Sequence, residues 1–131
     1  MVLPKSIVDF LLTAEQKALA TQAADGPHVV PVSSVLYEDD QVILIDYFMS
    51  KTVTNITEHP SVALAFWSGL AGYQLKGTVQ YETSGAVFEQ AVAFAAERFP
   101  DRTVTGVLRI TPTVVYDISA STERPTTPLV T

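Results

Sequence analysis

The chain has 131 residues, of which 47 % are hydrophobic and 17 % charged, so it can build one packed core and is not a disordered protein. Its net charge of −6 argues against nucleic acid as a ligand, because affinity for a phosphate backbone comes from clustered Lys and Arg. Cysteine is absent, which excludes disulfides, thiolate metal sites and cysteine nucleophiles. Redox chemistry would therefore require a bound cofactor.

The first half of the chain predicts a short amphipathic helix followed by three strands. Apolar residues recur at helical spacing over residues 4–14, and Pro4 suits a first helical turn. Strands are predicted over residues 17–22, 28–37 and 42–48, separated by the turn Asp25-Gly26-Pro27 and by the polar turn 38–41. The third of these strands is apolar almost throughout, which predicts burial on both of its faces.

The second half predicts two helices and three strands. Helices are predicted over residues 50–59, with Ser50 as N-cap, and from a cap at Thr83 or Ser84 to Phe99. Strands are predicted over residues 62–67, 73–82 and 107–118, with a glycine-containing loop at 68–72, a bend at Thr111-Pro112-Thr113 and an extended tail at 119–131. Six or seven strands joined mostly by short turns predict a mostly β fold in one domain over 1–131, an antiparallel barrel with about three peripheral helices.

The hydropathy of the chain predicts a cytoplasmic protein with a partner. No segment approaches the roughly 20 uninterrupted apolar residues of a membrane span, and Lys5 and Asp9 interrupt the segment where a signal peptide would have its apolar core. The mean hydropathy of +0.25 is high for a small domain, which has a large surface relative to its volume. We therefore expect a second copy of the chain to cover apolar surface in a homodimer.

The segment Tyr47-Phe48-Met49-Ser50-Lys51-Thr52 lies where a buried strand turns into a helix. A helix start offers free N–H groups and the positive end of the helix dipole, to which Ser50 and Thr52 add hydroxyls and Lys51 adds a charge. These features predict a phosphate site. The alternative from these residues alone is an ordinary serine cap beside a solvated lysine.

Two further segments suit a flat heterocyclic ligand. Pro31, within Val30–Ser34, removes one N–H and indicates an edge strand whose other backbone groups are free to meet a ring; alternatively it only protects that edge from aggregation. Trp67 and Tyr73 flank the glycine-containing loop, so an aromatic face and a close backbone approach occur together. Packing in the core or at a dimer interface is the alternative for these two aromatic residues.

The titratable residues form no catalytic or metal-ligating pattern. His28 and His59 stand beside prolines without a second ligand at metal-binding spacing, and both are expected to face solvent. Asp46, in the third predicted strand, is either a paired buried carboxylate or a group that points into a solvated groove. We assign no catalytic residue and no metal site.

Several short motifs, taken in order, resemble the flavin-binding split-barrel family related to pyridoxamine 5'-phosphate oxidase, and most closely its small single-domain FMN-binding proteins. The similarity covers about residues 14–118. The motifs that carry it are Ala18-Leu19-Ala20-Thr21, Asp25-Gly26-Pro27-His28-Val29-Val30-Pro31-Val32, Ser50-Lys51-Thr52, Asn55-Ile56, His59-Pro60-Ser61-Val62-Ala63-Leu64, Gly69 to Tyr73, and Gly77-Thr78-Val79.

The resemblance implies FMN as cofactor and assigns roles to residues in three segments. Ser50, Lys51 and Thr52 would hold the phosphate, and Pro31 to Ser34 would run beside the isoalloxazine and the ribityl chain. Trp67 with Gly72 to Gln74 would complete the site near the dimer interface. The candidate cofactor-binding residues are therefore Pro31, Val32, Ser33, Ser34, Met49, Ser50, Lys51, Thr52, Trp67, Gly72, Tyr73 and Gln74.

The sequence also departs from its relatives in two places. Some relatives carry an aromatic or amide side chain where this chain has Val32 and Ser33. The Arg and His signature of vitamin B6 oxidases has no counterpart in residues 119–131, so true pyridoxamine phosphate oxidase activity is not expected.

Two classes of function follow from this resemblance and its departures. The first is an FMN-binding electron carrier or small flavin-dependent oxidoreductase that exchanges electrons with a small molecule or a redox protein. The alternative is a non-enzymatic module that holds another ligand such as haem, or a dimeric scaffold.

Overall fold

The computed structural model describes residues 1–131 and contains three helices and seven strands. The helices are α1 (Lys5–Thr13), α2 (Ser50–Glu58) and α3 (Ala86–Arg98). The strands are β1 (Gln16–Ala23), β2 (Gly26–Pro31), β3 (Val35–Glu38), β4 (Gln41–Asp46), β5 (Ser61–Ser68), β6 (Ala71–Glu82) and β7 (Gly106–Asp117). All seven strands join one sheet in the order β2-β1-β5-β6-β7-β4-β3, and every pairing is antiparallel. The predicted mostly β, antiparallel fold with three helices is confirmed.

β4 is buried on both faces, as its apolar run predicts. Val42 and Leu44 belong to a cluster of 18 buried residues on the inner side of the sheet. Ile43 and Ile45 point the other way, into a cluster of six buried residues to which α3 contributes Ala91 and Ala95. The alternation of side chains along one strand therefore joins the main core to the α3 layer.

The single strand predicted over 28–37 is wrong, because the structure divides this segment into β2 and β3. β2 ends at Pro31, and one more hydrogen bond, from the Val32 N–H to the Lys17 carbonyl at 3.0 Å, follows it. The chain then leaves β1 and pairs with β4, so that Val35 lies opposite Leu44. Both strands contain β-branched residues, and the sequence pattern does not reveal that the partner changes between them.

The predicted helix caps and the predicted loop also need correction. The N-cap of α2 is Met49 rather than Ser50. Gly85, with a φ of 100°, precedes α3 in place of Thr83 or Ser84, because that backbone conformation favours glycine. The loop predicted over residues 68–72 is shortened to two residues, Gly69 and Leu70, since β5 continues to Ser68 and β6 starts at Ala71.

The C-terminal segment turns back to the sheet, so the prediction of an extended tail is wrong. β4 pairs with β7 only as far as Ile110, which leaves the edge of β7 free beyond that point. Val130 forms a bridge with Val115 on this edge, and the Leu129 N–H donates to the Val115 carbonyl at 2.7 Å. The predicted bend at 111–113 is a register shift opposite Lys76 and Gly77 within an otherwise continuous strand.

The expectation that His28 faces solvent also needs correction. It lies opposite Thr21 in the β1–β2 ladder, on the inner side of the strands, and its Nε2 is buried without a hydrogen-bond partner. His59, just after α2, is exposed as expected. Of the helices, none has the length and apolar character needed to cross a membrane.

Candidate functional site

The start of α2 presents a row of unused hydrogen-bond donors. The N–H of Met49 donates to the Asp46 carboxylate, and the N–H of Val53 begins the helical ladder by donating to the Met49 carbonyl. Between them, the N–H groups of Ser50, Lys51 and Thr52 donate to no protein acceptor. Ser50 and Lys51 are exposed, and no carboxylate pairs with the Lys51 ammonium. Three free donors and one free cation therefore lie within one turn.

The hydroxyl of Thr52 adds a fourth donor to this group. Thr52 is only 1 % exposed, and its Oγ1 has no hydrogen-bond partner. A buried hydroxyl left unsatisfied costs about 1–3 kcal/mol. Thr52 belongs to the first turn of α2, the same turn that carries the free N–H groups. The residues present thus fit a ligand with several acceptor oxygens and a negative charge, as a phosphate has.

A cavity of about 470 Å³ adjoins this turn. It is lined by the segment 46–50 together with Val53, Tyr81 and Thr105. Phe48 is 89 % exposed, although it is a large aromatic residue. The start of α2 therefore opens onto a concave surface that has an apolar ring at its side.

A buried carboxylate holds this turn against the sheet. Asp46 is 2 % exposed, and its Oδ1 accepts the Met49 N–H at 2.7 Å while its Oδ2 accepts the Tyr81 hydroxyl at 2.6 Å. Burial and the Asp46 carboxylate raise the pKa of Tyr81, so this hydroxyl stays protonated and donates. Gly106 lies against Tyr81, and a Cβ at this position would clash with the Tyr81 ring and hydroxyl. Of the two alternatives for Asp46, the structure selects the paired buried carboxylate.

The segment from Pro31 to Ser34 lies next to the same turn. Ser34 is buried, and its Oγ is 3.0 Å from the Tyr47 hydroxyl, two residues before the N-cap of α2. Ser33 is exposed, and its Oγ accepts a hydrogen bond of 3.1 Å from Arg102. Val32 packs in the core, whereas Pro31 is exposed at the end of β2. The structure thus brings together two of the three predicted segments.

The third predicted segment lies elsewhere and is divided between two faces of the sheet. Trp67 and Gln74 alternate with buried residues and point to the outer side, while the Tyr73 ring packs 5.2 Å from that of Phe10 in α1. A Cβ on Gly72 would lie 2.5 Å from the Trp67 Cβ, so only glycine fits beside that side chain. Pro31, Ala18, Ala65 and Gln74 lie opposite one another on four neighbouring strands. With a spacing of ~4.8 Å between strands, Pro31 and Gln74 are roughly 14 Å apart. Within one chain these residues do not form a single pocket.

The outer side of the sheet carries small and apolar side chains around one exposed lysine, Lys76, which lies between Ala63 and Val114. We call it the outer face; its centre consists of Ala18, Ala20, Ala63 and Ala65, with Trp67, Gln74, Val114 and Tyr116 around them. All eight of these side chains are half-buried. A broad concavity of about 850 Å³ covers part of this face and reaches Gly26 and Pro27. Small apolar side chains on a sheet exposed to solvent leave a surface that another protein surface can approach closely.

Comparison with known proteins identifies the family. The model of the family described as pyridoxamine 5'-phosphate oxidase matches residues 3–119. The chain belongs to this family. The resemblance stated from the short motifs is therefore confirmed.

Three relatives illustrate this membership. An uncharacterized protein of Methanocaldococcus jannaschii is 32 % identical over 107 residues, which cover 78 % of this chain and 72 % of that protein. The crystal structure of HupZ from Group A Streptococcus superposes with a TM-score of 0.80 at 24 % identity, covering 92 % of this chain and 97 % of HupZ. An FMN-binding protein from Syntrophomonas wolfei has a TM-score of 0.75 at 13 % identity, with 89 % and 84 % coverage. These structures show that the fold is the split barrel of the family.

The sequence interpretation left Asp46 open between two alternatives, and it did not single out its partner Tyr81 or Arg102. A carboxylate at the end of a fully apolar strand is a signal for a buried, paired group, because an unpaired charge is rarely buried. No local signal marks Tyr81 or Arg102, which reach the site from distant parts of the chain.

Replacing Tyr81 by Phe should destabilise the protein by about 1–3 kcal/mol, because the buried Asp46 carboxylate loses one of its two donors. Urea denaturation measures this change in the free energy of unfolding. Tyr73→Phe is the matched control, since the Tyr73 ring packs inward and its hydroxyl makes no hydrogen bond in the chain. Equal stability of the two variants would contradict a structural role for the bond between Asp46 and Tyr81.

Proposed function

We propose that the chain is an FMN-binding flavoprotein that serves as an electron carrier or as a small flavin-dependent oxidoreductase. The observation that carries this proposal is the combination of three free N–H groups at the start of α2 with the unpartnered, buried hydroxyl of Thr52. A helix N-terminus alone is common; a buried donor without an acceptor beside it is not. The FMN-binding protein from Syntrophomonas wolfei, which shares the fold, supports the choice of flavin.

The phosphate of FMN matches this set of donors. It supplies three acceptor oxygens and a charge near −2, which the positive end of the α2 dipole and the Lys51 ammonium both favour. The chain as a whole carries a net charge of −6, so attraction of an anion has to come from such a local arrangement. Riboflavin, which lacks the phosphate, offers these donors only a neutral hydroxyl and no charge.

With the phosphate at the start of α2, the flavin ring lies beside the segment from Pro31 to Ser34. This segment is connected to the phosphate end through the contact between Ser34 and Tyr47. FMN supplies the redox chemistry when it is bound, while the protein binds and orients it. The Asp46 carboxylate is already engaged by Tyr81 and Met49, so it is not a free base beside the ring. A role in electron transfer, which needs no protein acid–base pair, agrees with this arrangement.

A second copy of the chain is part of the proposal. The outer face is largely apolar apart from Gln74 and Lys76, and in one chain it separates Trp67, Gly72 and Gln74 from the start of α2. An isologous dimer built on this face covers it and brings the outer-face residues of each chain toward the flavin site of the other. Obligate homodimers commonly bury more than about 2,000 Å² of largely apolar surface, which a face spanning four strands can supply.

Replacing Lys51 by Ala should weaken FMN binding roughly ten- to a hundredfold, because a charge-assisted contact with phosphate is worth about 1.5–3 kcal/mol. Riboflavin affinity should not change, since that ligand has no phosphate. Quenching of Trp67, the only tryptophan, measures both titrations. Lys5→Ala is the control, because Lys5 pairs with Asp9 on α1. Equal affinity of the wild-type protein for FMN and riboflavin would contradict the phosphate site.

Replacing Thr52 by Val should change stability and binding in opposite directions. Valine keeps the shape of threonine and removes only the unsatisfied hydroxyl, so the flavin-free protein should be at least as stable as the wild type, by thermal melting. FMN affinity should fall about tenfold, because a donor to the charged phosphate is lost. A destabilised variant with unchanged FMN affinity would mean that the hydroxyl serves the fold and not the ligand.

Replacing Ala65 by Glu should convert the dimer to a monomer, since it places a charge at the centre of the outer face. Light scattering should give twice the chain mass of 14.2 kDa for the wild type and the chain mass for the variant. Ala96→Glu, at an exposed position of α3, is the matched control and should remain dimeric. A wild-type mass of one chain at micromolar concentration would refute the dimer.

A further inference from the structure

Arg102 is held in place by three neighbours in the loop between α3 and β7. Its guanidinium carbon lies 4.1 Å from the centroid of the Phe99 ring and 5.0 Å from that of Tyr47. One guanidinium nitrogen donates to Ser33 Oγ at 3.1 Å, and the backbone N–H donates to the Phe99 carbonyl at 2.9 Å. An exposed arginine otherwise keeps its rotamer freedom, so these contacts fix a position that solvation alone would not select.

The guanidinium has no anionic partner in the chain. The two ion pairs of the protein join Lys5 to Asp9 and Arg109 to Glu82. Arginine carries five N–H donors in a planar fork, and only one of those of Arg102 is used by a protein acceptor, Ser33. The remaining donors are suited to a planar or tetrahedral anion, which arginine binds through two parallel hydrogen bonds.

The position of Arg102 connects it to the proposed flavin site. Ser33, its hydrogen-bond acceptor, belongs to the segment proposed to run beside the flavin. The Tyr47 ring lies against Arg102, and the Tyr47 hydroxyl is 3.0 Å from Ser34 Oγ. Thr105, three residues after Arg102, lines the same cavity as Ser50. The loop between α3 and β7 and the start of α2 therefore border the same cavity.

We infer that Arg102 is a second cationic ligand of the FMN phosphate, which it reaches from the side of Ser33 while Lys51 and the free N–H groups of α2 hold it from the helix. This inference rests on the proposed flavin function. A phosphate monoester carries a charge of about −1.5 to −2 at neutral pH, more than one lysine neutralises. In a chain of net charge −6, a second local cation completes the balance.

Arg102→Gln tests this role, because glutamine keeps a polar side chain and removes the charge and the fork. FMN and riboflavin are titrated into the flavin-free wild type and variant, and the quenching of Trp67 is followed. FMN affinity should fall at least tenfold, and riboflavin affinity should stay within a factor of two. Arg98→Gln is the matched control: Arg98 also stacks on an aromatic ring, Phe94 at 4.2 Å, but donates no hydrogen bond to the segment. It should bind both flavins as the wild type does.

Each outcome separates this inference from the proposal on which it depends. Unchanged FMN affinity in Arg102→Gln, with a loss in Lys51→Ala, overturns the role of Arg102 alone. Equal losses for FMN and riboflavin also overturn it, because they indicate that Arg102 supports the ring segment and not the phosphate. Failure of the wild type to bind FMN overturns the proposed function and this inference together. Thermal melts of the flavin-free proteins establish that each variant is folded.

Discussion

The buried carboxylate of Asp46 connects the sheet to the start of α2. A charge at this depth is stable only with close donors, and Asp46 has two, the Tyr81 hydroxyl from β6 and the Met49 N–H from the turn. The N–H groups of the next three residues are free for a ligand, because the first residues of a helix have no carbonyl acceptor four positions earlier in the helix. The absence of a side chain at Gly106 leaves the space that the Tyr81 ring occupies. The candidate anion site therefore depends on the hydrogen bonds that Asp46 accepts from Tyr81 and Met49.

The two sides of the sheet differ in the size of their side chains and in what they pack against. Large side chains such as Leu19, Leu64 and Leu75 face inward and form the core, while the alanines between them face outward. A solvent-exposed sheet usually carries polar residues on its outer side. The alanines of the outer face instead leave it largely apolar, which supports the proposed contact between two copies. The same alternation along each strand thus produces both the barrel interior and the candidate interface.

The candidate site carries positive charge, although the chain as a whole is negatively charged. Lys51 and Arg102 have no carboxylate partner, although acidic residues outnumber basic ones by fourteen to eight. Stacking on the Phe99 ring sets the position of the Arg102 guanidinium, and Lys51 lies in the first turn of α2. An anionic ligand would satisfy both cations, together with the N–H groups and the Thr52 hydroxyl, in a single binding event.

The sequence by itself determined most of the strands and the three helices, because hydrophobic period and turn residues are local properties, and it indicated Ser50, Lys51 and Thr52 as a candidate phosphate site. Only the tertiary structure decided which distant groups meet there. It paired Asp46 with Tyr81, placed Arg102 on Ser33, turned Tyr73 inward, and separated Trp67 and Gln74 from α2. The change of partner from β1 to β4 after Pro31 was likewise invisible, because a strand pattern shows which residues are buried but not which strand lies beside them.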